Sequence, residues 1–187
     1  PPYDVISEAQ QEALYKKSPH NVVRLILNRL YPGDTPWDNR YTRSARLFRD
    51  WLADGILAAD GKPAFYVYEQ TFAERPAGEA AFGHPARARS LVRRGVLGAL
   101  KLEPFGQGGV FPHERTFASH KADRLQLFRA CRANFSPVFG LVPDDGAFAA
   151  LLSRSIAGRA PDMEAREETG VLNRVWIVCE PSLCKEI

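Results

Sequence analysis

Prolines and glycines divide this 187-residue chain into short stretches, and the spacing of apolar residues changes from one stretch to the next. The chain contains 14 residues of each of these two types. Some of the intervening stretches have apolar residues at helical spacing, and others are β-branched or aromatic runs of strand length. The sequence has no internal repeat. This irregular alternation favours an α/β or α+β fold with a mixed sheet and flanking helices.

Helices are predicted where an apolar face has a starting or stopping signal beside it. Ser7 and Gln10 form a capping-box pattern, and Gly55 is a suitable residue to follow the second helix. The predicted helices cover residues 7–17, 40–53, 119–133 and 143–158, and a further helix begins near Pro181. In the third of these helices, Leu125, Phe128 and either Ala122 or Cys131 are expected to face inward. Because the last helix ends without a C-cap, the sequence is interpreted as the N-terminal part of a longer protein.

Strands are predicted for the β-branched and aromatic runs. They cover residues 21–27, 64–72, 91–102 and 136–142, and residues 163–178 are expected to form a hairpin around a Thr-Gly step. Residues 73–90 are rich in Ala, Gly, Pro and Arg without a period, which is typical of an irregular surface segment. The whole of residues 1–187 is expected to form a single α/β domain or domain fragment.

Composition excludes several classes of protein. The apolar fraction is 45%, and no run of residues is long and apolar enough for a membrane span. The three cysteines do not resemble a disulfide framework, so a reducing, cytoplasmic location is expected. Cys179 and Cys184 do not have zinc-ligand spacing, and no metal site or particular cofactor is predicted. A net charge of +3 permits a small anionic ligand but does not indicate nucleic-acid binding.

The stretch "GGVFPHERTFASHKADRL", residues 108–125, carries the densest group of ionisable side chains. His113 could transfer a proton near neutral pH, with Glu114 as its orienting partner or as the base. Arg115, Lys121 and Arg124 could hold a phosphate or carboxylate, together with the positive end of the following helix dipole.

The start of that helix and its acidic residue leave alternatives open. Thr116 and Ser119 are both candidate N-caps, and either could also contact the ligand. The alternative interpretation is an ordinary solvated helix, in which Asp123 balances Lys121 or Arg124.

Asp4 is a separate candidate for the site. Two prolines precede Tyr3, so Asp4 is expected to lie in a stiff, ordered segment rather than in a loose tail. Its carboxylate could cap the first helix or reach the ligand site.

Six separated blocks of the sequence resemble a bacterial and archaeal family catalogued as domain-of-unknown-function family number 1015. The blocks are "PPYDVIS", "NVVRLIL", "YVYEQTF", "RRGVLGALKLE", "PHERTFASHKADRL" and "RANFSPVFGL". The resemblance implies a protein about twice as long, whose second half carries an Asp-Gly-His-His-Arg block. That block is similar to the phosphate-handling element of the ParB/sulfiredoxin-like fold, in which some members phosphorylate free serine. No such block occurs in this sequence.

The resemblance therefore implies that residues His113–Arg124 supply half of an active site. It favours an enzyme acting on a small phosphorylated metabolite, by phosphoryl transfer or phosphoester hydrolysis. Family members are often encoded beside serine-biosynthesis genes, which suggests phosphoserine. The alternatives are a ParB-like nucleotide- or DNA-associated regulator, and a structural or interaction module without chemistry.

Overall fold

The computed structural model describes residues 3–73, 89–112, 115 and 117–187. These residues belong to two compact units. The first unit is formed by Pro1–Ala59 with Leu102–Phe139, and the second by Asp60–Lys101 with Gly140–Ile187. The chain therefore passes from the first unit to the second and returns before it enters the second again. The prediction of a single domain stays a prediction.

The described part of the first unit is helical. It contains a 3₁₀ turn at Tyr3–Val5, α1 at Glu8–Lys17, α2 at Val23–Ile26, α3 at Arg40–Ala53 and α4 at Ala118–Cys131.

Local capping fixes where α1 and α3 begin. The Ser7 hydroxyl accepts from the backbone N–H of Gln10 at 3.3 Å, and the Gln10 side chain accepts from the Ser7 N–H at 2.9 Å. Asn39 caps α3 in the same way by accepting from the N–H of Tyr41 at 2.9 Å. Gly55 follows that helix with φ +70°. The capping box and the bounds predicted for these two helices are confirmed.

The predicted strand at residues 21–27 is wrong, because its centre forms the short helix α2. Asn21 accepts from the Val23 N–H at 3.1 Å, so a helical turn starts there. Val23 and Leu25 are each 1% exposed, and α2 packs against both α1 and α3. A short apolar run does not distinguish a buried strand from a buried helical turn, and here contacts with two helices favour the turn.

The helix predicted at residues 119–133 is confirmed as α4, and Cys131 does face inward, but the inward placement of Leu125 and Phe128 is wrong. Leu127 and Cys131 are buried and pack with Ala45 of α3. Leu125 is 46% exposed and Phe128 is 50% exposed. The face of α4 that meets α3 decides burial, and the sequence of α4 alone does not contain that information. The strand predicted at residues 136–142 is also wrong, since this segment has no regular secondary structure.

The second unit contains an antiparallel sheet with two helices. Its elements are β1 at Phe65–Ala73, β2 at Ser90–Leu97, α5 at Ala147–Ser155, β3 at Met163–Arg166, β4 at Leu172–Val178 and α6 at Pro181–Glu186. The strand order is β2-β1-β4-β3, and all three pairs are antiparallel. The α+β class is confirmed, as are the hairpin and the position of Pro181 at the start of α6.

The expected mixed sheet is corrected to an antiparallel one. A parallel pair needs a long crossover connection, whereas β3 and β4 are joined by a tight turn at Gly170, which has φ +86°. Residues 74–88 of the segment predicted to be irregular lie outside the described residues. Its first residue, Ala73, pairs with Ser90 where β1 ends and β2 begins.

One face of this sheet carries the core of the second unit. The core consists of Val67, Leu152, Ile156, Trp176 and Val178. Glu69 lies on the same strand face as Val67 and is buried between two arginines, Arg94 and Arg174. The helix predicted at residues 143–158 is confirmed as the shorter α5, and Asp144 caps it by accepting from two backbone N–H groups.

Within the described ranges, no helix combines the length and apolar character that crossing a membrane requires.

Candidate anion-binding site

Among the described residues, no side chain caps the beginning of α4, and its first turn contains no acidic residue. Phe117 occupies the N-cap position and makes no side-chain capping bond. The first intrahelical bond there runs from the Lys121 N–H to the Phe117 carbonyl at 3.2 Å. The first N–H groups of a helix have no partner within it and carry the positive end of its dipole. This end of α4 is therefore suited to an anion.

The predicted ligand residues lie around that end, as far as the structure describes them. Ser119 and Lys121 are exposed in the first turns of α4, and Arg115 is exposed shortly before it. Ser119 is inside the helix, so its assignment as an N-cap is wrong, because the helix begins one residue earlier. His113, Glu114 and Thr116 fall outside the described residues, so their predicted roles stay predictions.

Asp123 is the centre of a polar cluster that joins α4 to α3. Its Oδ1 accepts from the Tyr41 hydroxyl at 2.7 Å and from Nη2 of Arg40. Its Oδ2 accepts from Nε of Arg124 at 2.9 Å and from Nη2 of the same residue. The prediction that Asp123 balances Arg124 is confirmed, although the pair is not solvated. The Asp123 side chain is only 15% exposed.

The cluster contains more positive than negative charge. The guanidinium groups of Arg40 and Arg124 are 23% and 21% exposed, and both bind the single carboxylate of Asp123. Burial acts to raise the pKa of Asp123, but hydrogen bonds from Tyr41 and Arg124 outweigh it and lower that pKa below its ordinary value. Asp123 is therefore ionised at neutral pH. Two positive charges and one negative charge remain in a partly desolvated place.

One terminal nitrogen of Arg124, Nη1, makes no hydrogen bond to the described residues. Its Nε donates to Asp123, and its Nη2 donates to Asp123 and to the Ile26 carbonyl at 2.9 Å. The guanidinium carbon lies 3.5 Å from the centre of the Tyr3 ring. Among the described residues, the buried Nη1 has no hydrogen-bond partner. A buried donor left unsatisfied costs about 1–3 kcal/mol, which an anion or water at Nη1 would recover.

A second arginine also has an unsatisfied nitrogen, but its situation differs. Arg43 uses both terminal nitrogens in a fork to Asp34, at 2.7 and 2.9 Å, and only its Nε is unpaired within the described part of the chain. Arg43 lines neither of the two cavities beside Arg124. The unused nitrogen of Arg124 is instead a terminal one, which carries two N–H donors.

Two cavities border Arg124. The larger has a volume of about 40 Å³, and its lining beside Arg124 includes Phe128, Asn134, Phe135 and Ser136. The smaller lies between α2, α3 and α4 and is bordered by both Arg40 and Arg124. Pockets for cofactor-sized ligands start at about 300 Å³. The space beside Arg124 is therefore far smaller than such a pocket and has room for no more than a small anion or a few water molecules.

Asp4 is brought to the first turn of α4. Its Oδ2 lies 3.9 Å from Nδ1 of His120, which is an ion-pair distance rather than a hydrogen bond. The His120 ring meets Tyr3 and Phe117 edge-on, with ring centres 6.2 and 5.6 Å apart. The structure places Asp4 and His120 beside the free end of α4.

Four residues of the cluster had no role in the predicted site: Tyr3, Arg40, Tyr41 and Asp123. Arg40 and Tyr41 lie more than eighty positions from Asp123 in the chain. From the sequence, Asp123 was interpreted as a charge-balancing residue. The sequence signal nearest to the cluster was the stiff "PPYD" segment, from which Asp4 was chosen as a site residue. Its neighbour Tyr3 is the residue that contacts Arg124 of the cluster. No group of three metal-binding side chains occurs in the described part of the chain.

A family model described as "Protein of unknown function (DUF1015)" matches residues 1–187, and the chain belongs to that family. No curated protein and no solved structure matches the chain.

Proposed function

We propose that this DUF1015 protein binds the phosphate group of a small phosphorylated metabolite at the beginning of α4. The observation that carries the proposal is the unused Nη1 of Arg124, in a cluster where two guanidinium groups share one carboxylate. Phosphate offers three acceptor oxygens, and arginine is the side chain best suited to bind it.

The residues around Arg124 have complementary roles in this proposal. Lys121, Ser119 and Arg115 are exposed close to the free N–H groups of α4, where they can contact phosphate oxygens. A helix N-terminus stabilises a phosphate by its N–H groups and its dipole together. Asp4 adjoins this site through His120 and would contact a polar group of the ligand other than the phosphate.

The proposed reaction is phosphoryl transfer or phosphoester hydrolysis. His113 is the proposed acid or base, and Glu114 is its orienting partner or the base itself. Phosphoserine is the first substrate to test, because of the resemblance to proteins that phosphorylate free serine.

The binding step is tested with inorganic phosphate, titrated by calorimetry at constant ionic strength. Arg124→Lys keeps the charge but removes the planar fork and Nη1. Each charge-assisted hydrogen bond contributes about 1.5–3 kcal/mol, so phosphate binding is expected to weaken about tenfold or more. Arg43→Lys changes an arginine of similar exposure outside the site and is expected to leave the affinity unchanged.

Two outcomes would overturn the proposed binding site. One is a wild-type protein that shows no heat of phosphate binding beyond that of chloride. The other is an equal loss of affinity in the two lysine variants. Lys121→Ala changes an exposed residue and tests the same site if Arg124→Lys does not fold.

The chemical step is tested separately, by release or transfer of phosphate from a panel of small phosphorylated metabolites that includes phosphoserine. His113→Ala and Glu114→Ala are expected to abolish turnover while phosphate binding persists. Turnover that is unchanged in both variants would refute their roles. Absence of turnover on every member of the panel would refute the reaction class and leave the binding site to be judged by calorimetry.

A further inference from the structure

We infer that Tyr41 is a positioning residue for the anion site, which acts on Arg124 through the carboxylate of Asp123. This inference rests on the proposed function, because it concerns how the proposed ligand-binding nitrogen is held. Tyr41 lies on α3, two residues after the helix cap Asn39, and neither its position nor its residue type marks it in the sequence as part of a site.

The two oxygens of Asp123 have separate partners. Oδ1 is bound from α3, by the Tyr41 hydroxyl at 2.7 Å and by Arg40, whereas Oδ2 is bound only by Arg124 of α4 among the described residues. The Tyr41 hydroxyl also accepts from Nη2 of Arg40 at 2.9 Å, so the two α3 residues support each other. Rotation of the carboxylate would break the bonds to both helices. Asp123 therefore has one orientation.

The fixed carboxylate in turn fixes the guanidinium of Arg124. It binds Nε and Nη2, the Ile26 carbonyl binds Nη2 from the other side, and the Tyr3 ring covers the flat face. These contacts use every part of the group except Nη1. A side chain held in this way loses little conformational freedom when a ligand binds, so its contacts contribute more affinity.

Tyr41→Phe tests the inference because it removes only the hydroxyl, and Tyr68→Phe is the matched control. Tyr68 lies in the second unit and also donates a hydrogen bond, at 2.6 Å, to Asn173. Each variant loses the hydrogen bond that a tyrosine hydroxyl donates in a partly buried place, and Tyr41→Phe also loses the bond that the hydroxyl accepts from Arg40. Sulfate is the probe, because its charge is constant over the pH range used. Tyr41→Phe is expected to weaken sulfate binding by about 3- to 10-fold, and Tyr68→Phe to leave it unchanged.

The pH profile separates positioning from a merely structural role. The charged and titratable groups that face Asp123 are Arg40 and Tyr41 of α3, Arg124 of α4, and Tyr3. The hydrogen bonds to the Asp123 carboxylate form while that group is ionised, above its lowered pKa. They are lost as the pH falls through this pKa and the carboxylate becomes protonated. Because the Tyr41 bond helps to lower that pKa, Tyr41→Phe is expected to move the acid limb of sulfate affinity to higher pH.

The results separate this inference from the proposed function. If the wild-type protein does not bind sulfate or phosphate, the proposed function fails. If the wild type binds but Tyr41→Phe has the same affinity and the same acid limb, the positioning role is refuted and the proposed site stands. Should Tyr41→Phe not fold by circular dichroism, Arg40→Lys removes the other fixed donor to Oδ1 while it keeps the charge. The same two readouts then apply, and unchanged values refute the inference.

Discussion

Replacement of Asp123 by asparagine would test whether the polar cluster between α3 and α4 stabilises the first unit. The change removes the only negative charge bound to Arg40 and Arg124 among the described residues. It also sets an amide N–H₂ against donors that previously met a carboxylate oxygen. Loss of one partner from a buried ion pair costs about 3–5 kcal/mol. The three side chains are 15–23% exposed, so solvent screens part of this effect. We expect a loss of about 2–3 kcal/mol.

The measurement is amide hydrogen exchange in α3 and α4 at neutral pH, since urea unfolding of a chain with two units need not be two-state. Asp38→Asn is the matched control. Asp38 is 64% exposed and lies 3.9 Å from its two arginine partners, so its loss should cost less than about 0.5 kcal/mol. If the two variants lower the free energy of opening equally, the cluster does not stabilise the unit as argued.

Three further predictions concern the rest of the fold. Glu69→Gln should lower the exchange protection of β1 by about 2–3 kcal/mol, because the Glu69 side chain is 8% exposed and lies between two arginines. Glu164→Gln changes a half-exposed residue and should have little effect, and equal effects of the two variants would contradict the prediction. In amide hydrogen exchange of the first unit, Leu25→Ala should lower the free energy of opening by about 3 kcal/mol and Leu125→Ala by less than about 1 kcal/mol, and the reverse order would refute the burial assigned to them. The pKa of Asp144 should lie below its ordinary value by NMR titration, because backbone N–H groups of α5 bind the carboxylate. That cap contributes stability above the unfolded-state pKa and is lost as the pH falls through the folded-state pKa. The protection of amides at the start of α5, relative to their intrinsic exchange rate at the same pH, is therefore expected to fall there, and an unshifted titration would contradict the prediction.

Several elements were predictable from the sequence because the interactions that fix them are local. The Ser7–Gln10 capping box connects residues three positions apart, and its signal is present in any three-dimensional context. The tight turn at Gly170 and the start of α6 at Pro181 are likewise properties of a few consecutive residues. The predicted site shares this character in part, since the basic residues at the beginning of α4 are neighbours in the chain.

Other features depend on residues that are distant in the chain, and only the tertiary structure decided them. Residues 21–27 have the apolar content of a strand, and only packing against α1 and α3 makes their centre helical. Leu127 rather than Leu125 is buried because α3 meets that side of α4. The role of Asp123 depends on Tyr41, 82 positions away, and on Arg40, 83 positions away. Spacing within the sequence cannot encode such pairs, because the energy that selects them comes from desolvation and geometry in the folded chain. The sequence alone therefore determined the helix caps and the local charge of α4, and the fold determined which guanidinium nitrogen of Arg124 has no hydrogen-bond partner among the described residues.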